Sequence, residues 1–126
     1  MKLYLLVALF GAAGSVLRYS LYLITPRFFY LNFPISTVLV NLLGSFFIGV
    51  CVSLFDKSII TENIRIFIAI GLLGGFTTFS TFSMDLFNLL NKSLYIEMIS
   101  YLVLSVLVVY FCSLLGTKLL VFFNEI

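Results

Sequence analysis

Phenylalanine rings and hydroxyl groups that could together surround a small ion are concentrated between Gly71 and Ser83. Phe79 and Phe82 stand three residues apart, so a helix places their rings on one face. The edge of an aromatic ring is partially positive, and two ring edges with hydroxyl and amide donors can replace the hydration water of a small anion. A ring of fixed positive charge would hold the same ion too strongly for rapid exit. Ordinary packing of the two phenylalanines is the alternative interpretation.

The same stretch has a low propensity to form an α-helix. Gly71, Gly74 and Gly75 lie within five residues, and each glycine costs a helix about 1 kcal/mol relative to alanine. Hydroxyl side chains, which can bond the backbone in non-helical conformations, follow at Thr77, Thr78, Ser80, Thr81 and Ser83. We therefore predict a helix broken near residues 74–78, at a depth where a membrane helix should be continuous. Carbonyls freed at such a break could bind Na⁺ through oxygen ligands and brace the structure.

A second group of small and polar residues repeats at intervals of three and four upstream, which places its members on roughly one helix face. The group consists of Thr37, Asn41, Gly44, Ser45 and Gly49. An asparagine inside a membrane either bonds to a neighbouring helix or contributes to a ligand site. Because Asn41 lies on a polar stripe, we interpret it as a pore-lining residue.

Four further polar residues are candidates because of their apolar surroundings. Arg18 lies inside an apolar run, where it either has a functional role or extends its guanidinium to the membrane interface. Asp85 is the only acidic residue well inside such a run. Tyr101 and Ser105 are four residues apart, so both could face the third helix.

The composition requires a membrane. The chain has 126 residues, of which 63% are hydrophobic and 10% charged, and a soluble domain of this size cannot bury so much apolar surface. Apolar runs at 3–24, 33–55, 64–90 and 94–123 each reach the roughly 20 residues that span a bilayer. We predict an all-α, multi-pass membrane protein with four transmembrane helices in a single domain, 1–126.

The same composition argues against several functions. The chain contains no histidine and no buried lysine placed as a base, so we predict that it is not an enzyme. Its formal net charge of +2 is too small and too scattered for nucleic-acid binding. Cys51 and Cys112 lie inside apolar runs, where cysteine usually behaves as a small hydrophobic residue.

Lysine and arginine give little preference for one orientation in the membrane. One side carries Lys2, Lys57, Arg65 and Lys118, and the other carries Arg27, Lys92 and, if it reaches that interface, Arg18. The Lys/Arg bias between the two sides sets orientation. We therefore predict a chain that inserts into the membrane in both orientations and pairs as an antiparallel homodimer. A single orientation set by a small bias is the alternative.

Three motifs follow one another along the chain. Residues 11–19 read GAAGSVLRY, residues 41–49 read NLLGSFFIG, and residues 74–83 read GGFTTFSTFS. They resemble GxxGAxxRY, VNxxGSFxxG and GGxTTFSTF, the patterns of the Fluc (CrcB-type) fluoride channel family, and the resemblance covers essentially the whole chain. Ser15 departs from the first pattern, and Ser36 and Val38 depart from the usual start of the second helix.

This resemblance implies a dual-topology antiparallel homodimer with two pores that passively exports cytoplasmic fluoride. The positions that match polar or aromatic pore residues of the family are Asn41, Phe79, Phe82, Thr37, Ser105 and Tyr101. Gly74 and Thr77 match the positions whose carbonyls hold a central structural Na⁺, and Arg18 matches the family arginine. The implied partners are fluoride, a second copy of the chain and the lipid bilayer, and the implied location is the plasma membrane of a bacterium.

Two other classes of function compete with this interpretation. A small four-helix multidrug exporter would have a similar size, but its first helix would carry a membrane-embedded glutamate, which is missing here. A non-transporting membrane scaffold could be built from the same small-residue packing faces.

Overall fold

The computed structural model of the chain describes residues 1–25 and 33–123, with side chains up to residue 119. These residues form helices and turns and no strand. The helical elements are α1 (Lys2–Ile24), α2 (Ile35–Asp56), α3 (Glu62–Ile66), a π-helical segment (Phe67–Leu73), α4 (Gly74–Phe76), α5 (Ser80–Asn91) and α6 (Tyr95–Phe123). Arg27, which entered the charge count, lies outside the described residues.

Within the described residues, four helical stretches are long and apolar enough to cross a membrane. We call them spans 1 to 4: Lys2–Ile24, Ile35–Asp56, Glu62–Asn91 and Tyr95–Leu119. The predicted all-α fold with four membrane-spanning helices is therefore confirmed.

Two short turns connect spans 2, 3 and 4, and both are closed in the same way. Ser58 and Ser93 adopt left-handed backbone conformations, with φ values of 57° and 56°. After the first of them, the Ile59 N–H donates to the Leu54 carbonyl at 2.9 Å, and a corresponding bond closes the second turn. This pattern satisfies the last carbonyls of a helix and reverses the chain within a few residues.

Span 1 packs against the first half of span 3, and glycines allow their backbones to touch. A Cβ atom on Gly14 would collide with the Leu72 carbonyl, and one on Gly75 would collide with the Gly11 carbonyl. Such close approach of small residues drives helix association in membranes, where no hydrophobic force acts between helices.

Spans 2 and 4 form a second pair of the same kind, with extensive mutual packing. A Cβ atom on Gly49 would collide with the Ser113 carbonyl, and one on Gly116 would collide with the Phe46 carbonyl. The bundle thus consists of two glycine-packed pairs, each of which joins spans that are not consecutive in the chain.

The buried core is small and lies where spans 2, 3 and 4 meet. It is centred on Phe82, Leu89 and Tyr101, with Phe33 and Val38 among the residues packed around it. Large apolar side chains elsewhere are exposed, for example Leu9, Val16, Ile96, Ile99, Val103 and Phe111. On a membrane-spanning helix these side chains are suited to contact with lipid tails or with another protein chain.

Candidate functional site

The helical conformation of span 3 stops at Phe76 and resumes at Ser80. At Thr77 the backbone is extended, with φ −75° and ψ 161°. Its N–H and its hydroxyl both donate to the Leu73 carbonyl, at 2.8 and 2.9 Å. A continuous helix would next pair the Thr78 N–H with the Gly74 carbonyl, but the Thr78 N–H has a different partner.

That partner is the side-chain amide of Asn41 on span 2. The Thr78 N–H donates to Asn41 Oδ1 at 2.9 Å, and Asn41 Nδ2 donates to the Thr78 carbonyl, also at 2.9 Å. Thr78 is only 7% exposed, so without Asn41 both backbone groups would lack a partner in an apolar environment. Asn41 therefore bonds to a neighbouring helix and stabilises its non-helical segment.

Arg18 on span 1 holds the preceding residue. Its Nη1 atom donates to the Thr77 carbonyl at 3.0 Å. The guanidinium is thus directed to the backbone of span 3, where it satisfies a carbonyl that has left the helix. Spans 1 and 2 together fix two consecutive residues, Thr77 and Thr78.

Hydroxyl groups stabilise the start of the second half of span 3. Thr78 Oγ1 accepts a hydrogen bond from the Thr81 N–H at 3.1 Å and donates to Thr81 Oγ1 at 3.0 Å. Ser80 Oγ lies 3.3 Å from Thr78 Oγ1, although Ser80 itself is exposed. Thr78 therefore satisfies one of the N–H groups that the first turn of α5 leaves without a helical partner.

The two candidate phenylalanines pack against each other in very different environments. Their ring centroids are 5.5 Å apart with an interplanar angle of 36°. Phe82 is 7% exposed and packs on Tyr101 at a centroid distance of 5.1 Å, whereas Phe79 is 79% exposed. Phe79 thus projects from the surface of the single chain.

Two cavities adjoin this segment. One, of about 390 Å³, is lined by Asn41, Phe79, Phe82, Ser105, Val106, Val109, Tyr110 and Ser113. The other, of about 440 Å³, is lined by Asn41, Gly44, Ser45, Ile48, Ala69, Leu73, Gly74, Thr77, Thr78, Phe79 and Val109. We call the first of these the phenylalanine cavity. The Ser105 hydroxyl on its wall is buried and has no hydrogen-bond partner among the described residues.

A hydrogen-bond network joins all four spans beside the buried core. Thr37 Oγ1 donates to Asp85 Oδ2 at 2.6 Å, and the Tyr101 hydroxyl donates to the same oxygen at 3.0 Å. The Tyr22 hydroxyl lies 3.3 Å from Thr37 Oγ1. Sequence reasoning did not select Tyr22, although its position one helical turn after Arg18 places it on a similar face.

Apart from Arg18 and Ser80, the candidate residues thus fall into three groups. Asn41, Phe79, Phe82 and Ser105 line the phenylalanine cavity, and Gly74, Thr77 and Thr78 line the second cavity together with Asn41 and Phe79. Thr37, Asp85 and Tyr101 form the network instead, and none of them lines either cavity. In the described part of the chain, no group of three or more His, Cys, Asp or Glu side chains could hold a metal ion.

Four membrane-spanning helices around a polar, partly non-helical segment define a multi-pass membrane protein with an internal polar site. Residues 5–117 match the family described as CrcB-like protein, Camphor Resistance (CrcB). The chain belongs to this CrcB-like family, so the resemblance drawn from its three motifs is confirmed.

Individual relatives cover most of the chain. A protein of Shewanella frigidimarina is 45% identical over 92% of this chain and 94% of its own length. One of Phocaeicola vulgatus is 42% identical over 99% of this chain and its own full length. One of Helicobacter acinonychis is 46% identical over 78% of this chain and 79% of its own length. All three are named fluoride-specific ion channel FluC. These names describe an ion channel and not an enzyme. Together with the four membrane-spanning helices, these bacterial relatives agree with the predicted multi-pass protein of a bacterial membrane.

Proposed function

We propose that the chain forms a fluoride-selective channel through which fluoride leaves the cytoplasm passively. The observation that carries this proposal is the Ser105 hydroxyl on the wall of the phenylalanine cavity. Ser105 is 7% exposed, and its hydroxyl has no hydrogen-bond partner in the part of the chain that the structure describes. A buried hydroxyl without a partner costs about 1–3 kcal/mol. A small dehydrated anion would accept its hydrogen bond and remove that cost.

The other walls of the phenylalanine cavity suit the same ion. Phe79 and Phe82 can turn partially positive edges towards an anion, and Asn41 lies beside them. Arg18 is committed to the Thr77 carbonyl and does not line this cavity. An anion would therefore meet several weak donors and no fixed positive charge, which favours fast exit.

The proposed channel is an antiparallel homodimer with two pores. A backbone segment without helical bonds cannot face lipid and must be covered by protein. We place the non-helical residues 77–79 at mid-membrane depth, where the exposed Phe79 and Gly74 support a second copy as the covering protein. The nearly even Lys/Arg distribution supports the opposite orientation of that copy.

A structural Na⁺ between the two copies is part of the proposal. The Gly74 carbonyl lacks the Thr78 N–H as helical partner because Asn41 accepts that N–H. The Thr77 carbonyl accepts one bond, from Arg18, and keeps a second lone pair. Carbonyl oxygens are hard ligands that suit an alkali cation, and two from each copy would supply four around a two-fold axis. When bound, the ion would offset the partial charges of these carbonyls.

Liposome flux tests the proposal directly. Purified protein in liposomes loaded with fluoride should release it rapidly after a K⁺ ionophore is added, as measured by an external fluoride electrode. Chloride-loaded liposomes measured in parallel should release nothing. Proton-driven drug efflux without fluoride release would instead identify a multidrug exporter, and a well-folded protein that transports neither would identify a scaffold.

A further inference from the structure

In the hydrogen-bond network beside the buried core, the direction of donation from Tyr22 through Thr37 to Asp85 is fixed. A threonine hydroxyl carries one proton, and the Thr37 proton is engaged in the short 2.6 Å bond to the Asp85 carboxylate. Thr37 can therefore only accept from Tyr22 in their 3.3 Å contact. The Tyr22 hydroxyl donates to Thr37, and Thr37 donates to Asp85.

Among the described residues, the polar partners of this carboxylate are hydroxyl groups. Asp85 Oδ2 accepts from Thr37 and from Tyr101. Hydrogen bonds in a chain polarise one another, so a donor to Thr37 strengthens the bond that Thr37 makes to Asp85.

The network also reaches the phenylalanine cavity. Tyr101 is fully buried, its hydroxyl is bound by Asp85, and its ring packs on Phe82 at 5.1 Å. Phe33 packs edge-on against the Tyr101 ring as well, with centroids 5.5 Å apart. A change in the position of the carboxylate would therefore be transmitted to the Phe82 ring.

We infer that Tyr22 is a positioning residue for the Asp85 carboxylate, acting through the hydroxyl of Thr37. It anchors from span 1 a network whose other members belong to spans 2, 3 and 4. By fixing Asp85, it keeps this negative charge in the network and off the walls of the two cavities, and it keeps Tyr101 in place against Phe82. The effect on fluoride passage rests on the proposed function, whereas the effect on Asp85 does not.

Carboxyl ¹³C NMR of the full chain in lipid nanodiscs, labelled at aspartate, tests the first part. The chain has two aspartates, Asp56 and Asp85, so an Asp56→Asn variant assigns the two resonances. Tyr22→Phe keeps the ring and removes the hydroxyl, and it should shift the Asp85 resonance. Tyr4→Phe, at an exposed position of the same span, is the matched control and should not.

The route through Thr37 is tested in the same spectra. Thr37→Val should shift the Asp85 resonance at least as far as Tyr22→Phe does, and Tyr22→Phe should add nothing when Thr37→Val is already present. An unchanged Asp85 resonance in Tyr22→Phe, or additive shifts in the double variant, would overturn the inference.

Fluoride release from liposomes tests the consequence for transport. We expect Tyr22→Phe to release fluoride about fivefold more slowly than the unmodified chain, the ratio that corresponds to loss of about one hydrogen bond. Equal release from both would overturn the link between Tyr22 and the cavity. If the unmodified chain itself released no fluoride, the proposed function would fail, while the Asp85 spectra would still decide the role of Tyr22.

Discussion

Replacing Asn41 with leucine should destabilise the protein through the backbone of one residue on another span. The side-chain amide of Asn41 makes two 2.9 Å hydrogen bonds to Thr78, and leucine has a similar size but can make neither. Each backbone group left without a partner in a buried position costs about 1–3 kcal/mol. Two such groups give a loss of about 2–6 kcal/mol in the free energy of unfolding, against a total of about 5–15 kcal/mol for a typical domain.

A thiol-reactive fluorescent dye can measure this loss. Cys51 is buried and reacts only when the bundle opens, whereas Cys112 is less buried and is replaced by serine to remove its signal. The unfolding midpoint in a denaturing-detergent titration should fall for Asn41→Leu. It should not fall for Asn88→Leu, which makes the same substitution at an exposed position of span 3.

An unchanged midpoint for Asn41→Leu would refute this reasoning. It would mean that Thr78 recovers a helical partner on span 3 when the amide is removed, most directly the Gly74 carbonyl. The Asn41 contact alone would then keep this segment non-helical. In the Asn41→Leu variant the Gly74 carbonyl would no longer be free to bind Na⁺.

Two further substitutions test the cavity and the packing. Phe82→Ile should slow fluoride release by about tenfold, the ratio for about 1.4 kcal/mol of lost aromatic interaction, while Phe87→Ile at an exposed position should release fluoride normally in the same liposome assay. Gly14→Ala should lower the free energy of unfolding by about 1–3 kcal/mol because its methyl group collides with backbone. Gly11→Ala has ordinary contacts, the nearest at 3.7 Å, so its unfolding midpoint should not fall.

The number of spans and the position of the polar centre could be predicted from the sequence because both depend on local patterns. Apolar runs long enough for a bilayer predict four helices, and the cluster of glycines and hydroxyls between Gly71 and Ser83 indicates where α-helix is unfavourable. The intervals along span 2 also place Asn41 on a polar face. These inferences depend only on the helical repeat and on the free-energy cost of polar groups that lack hydrogen-bond partners in lipid.

Partners between spans could not be predicted in the same way, since no pattern along the chain specifies which distant residue a side chain meets. Whether Arg18 extends to the interface or turns inward depends on its bond to Thr77, 59 residues away. Tyr22 lies on a similar helix face to Arg18, but this position does not reveal that its hydroxyl meets Thr37 on span 2. The opposite exposures of Phe79 and Phe82 likewise follow from where span 4 packs, which helical spacing does not determine.

The pairing of non-consecutive spans has a consequence for how the chain is made. The ribosome delivers spans 1 and 2 first, yet their glycine-packed partners are spans 3 and 4, respectively. At that stage Arg18 and Asn41 lie in newly inserted helices whose bonding partners, Thr77 and Thr78, have not been synthesised. Biogenesis therefore passes through an intermediate with unsatisfied polar side chains in the membrane. Arrival of span 3 satisfies both side chains, which makes translation through Thr78 the committing event in assembly.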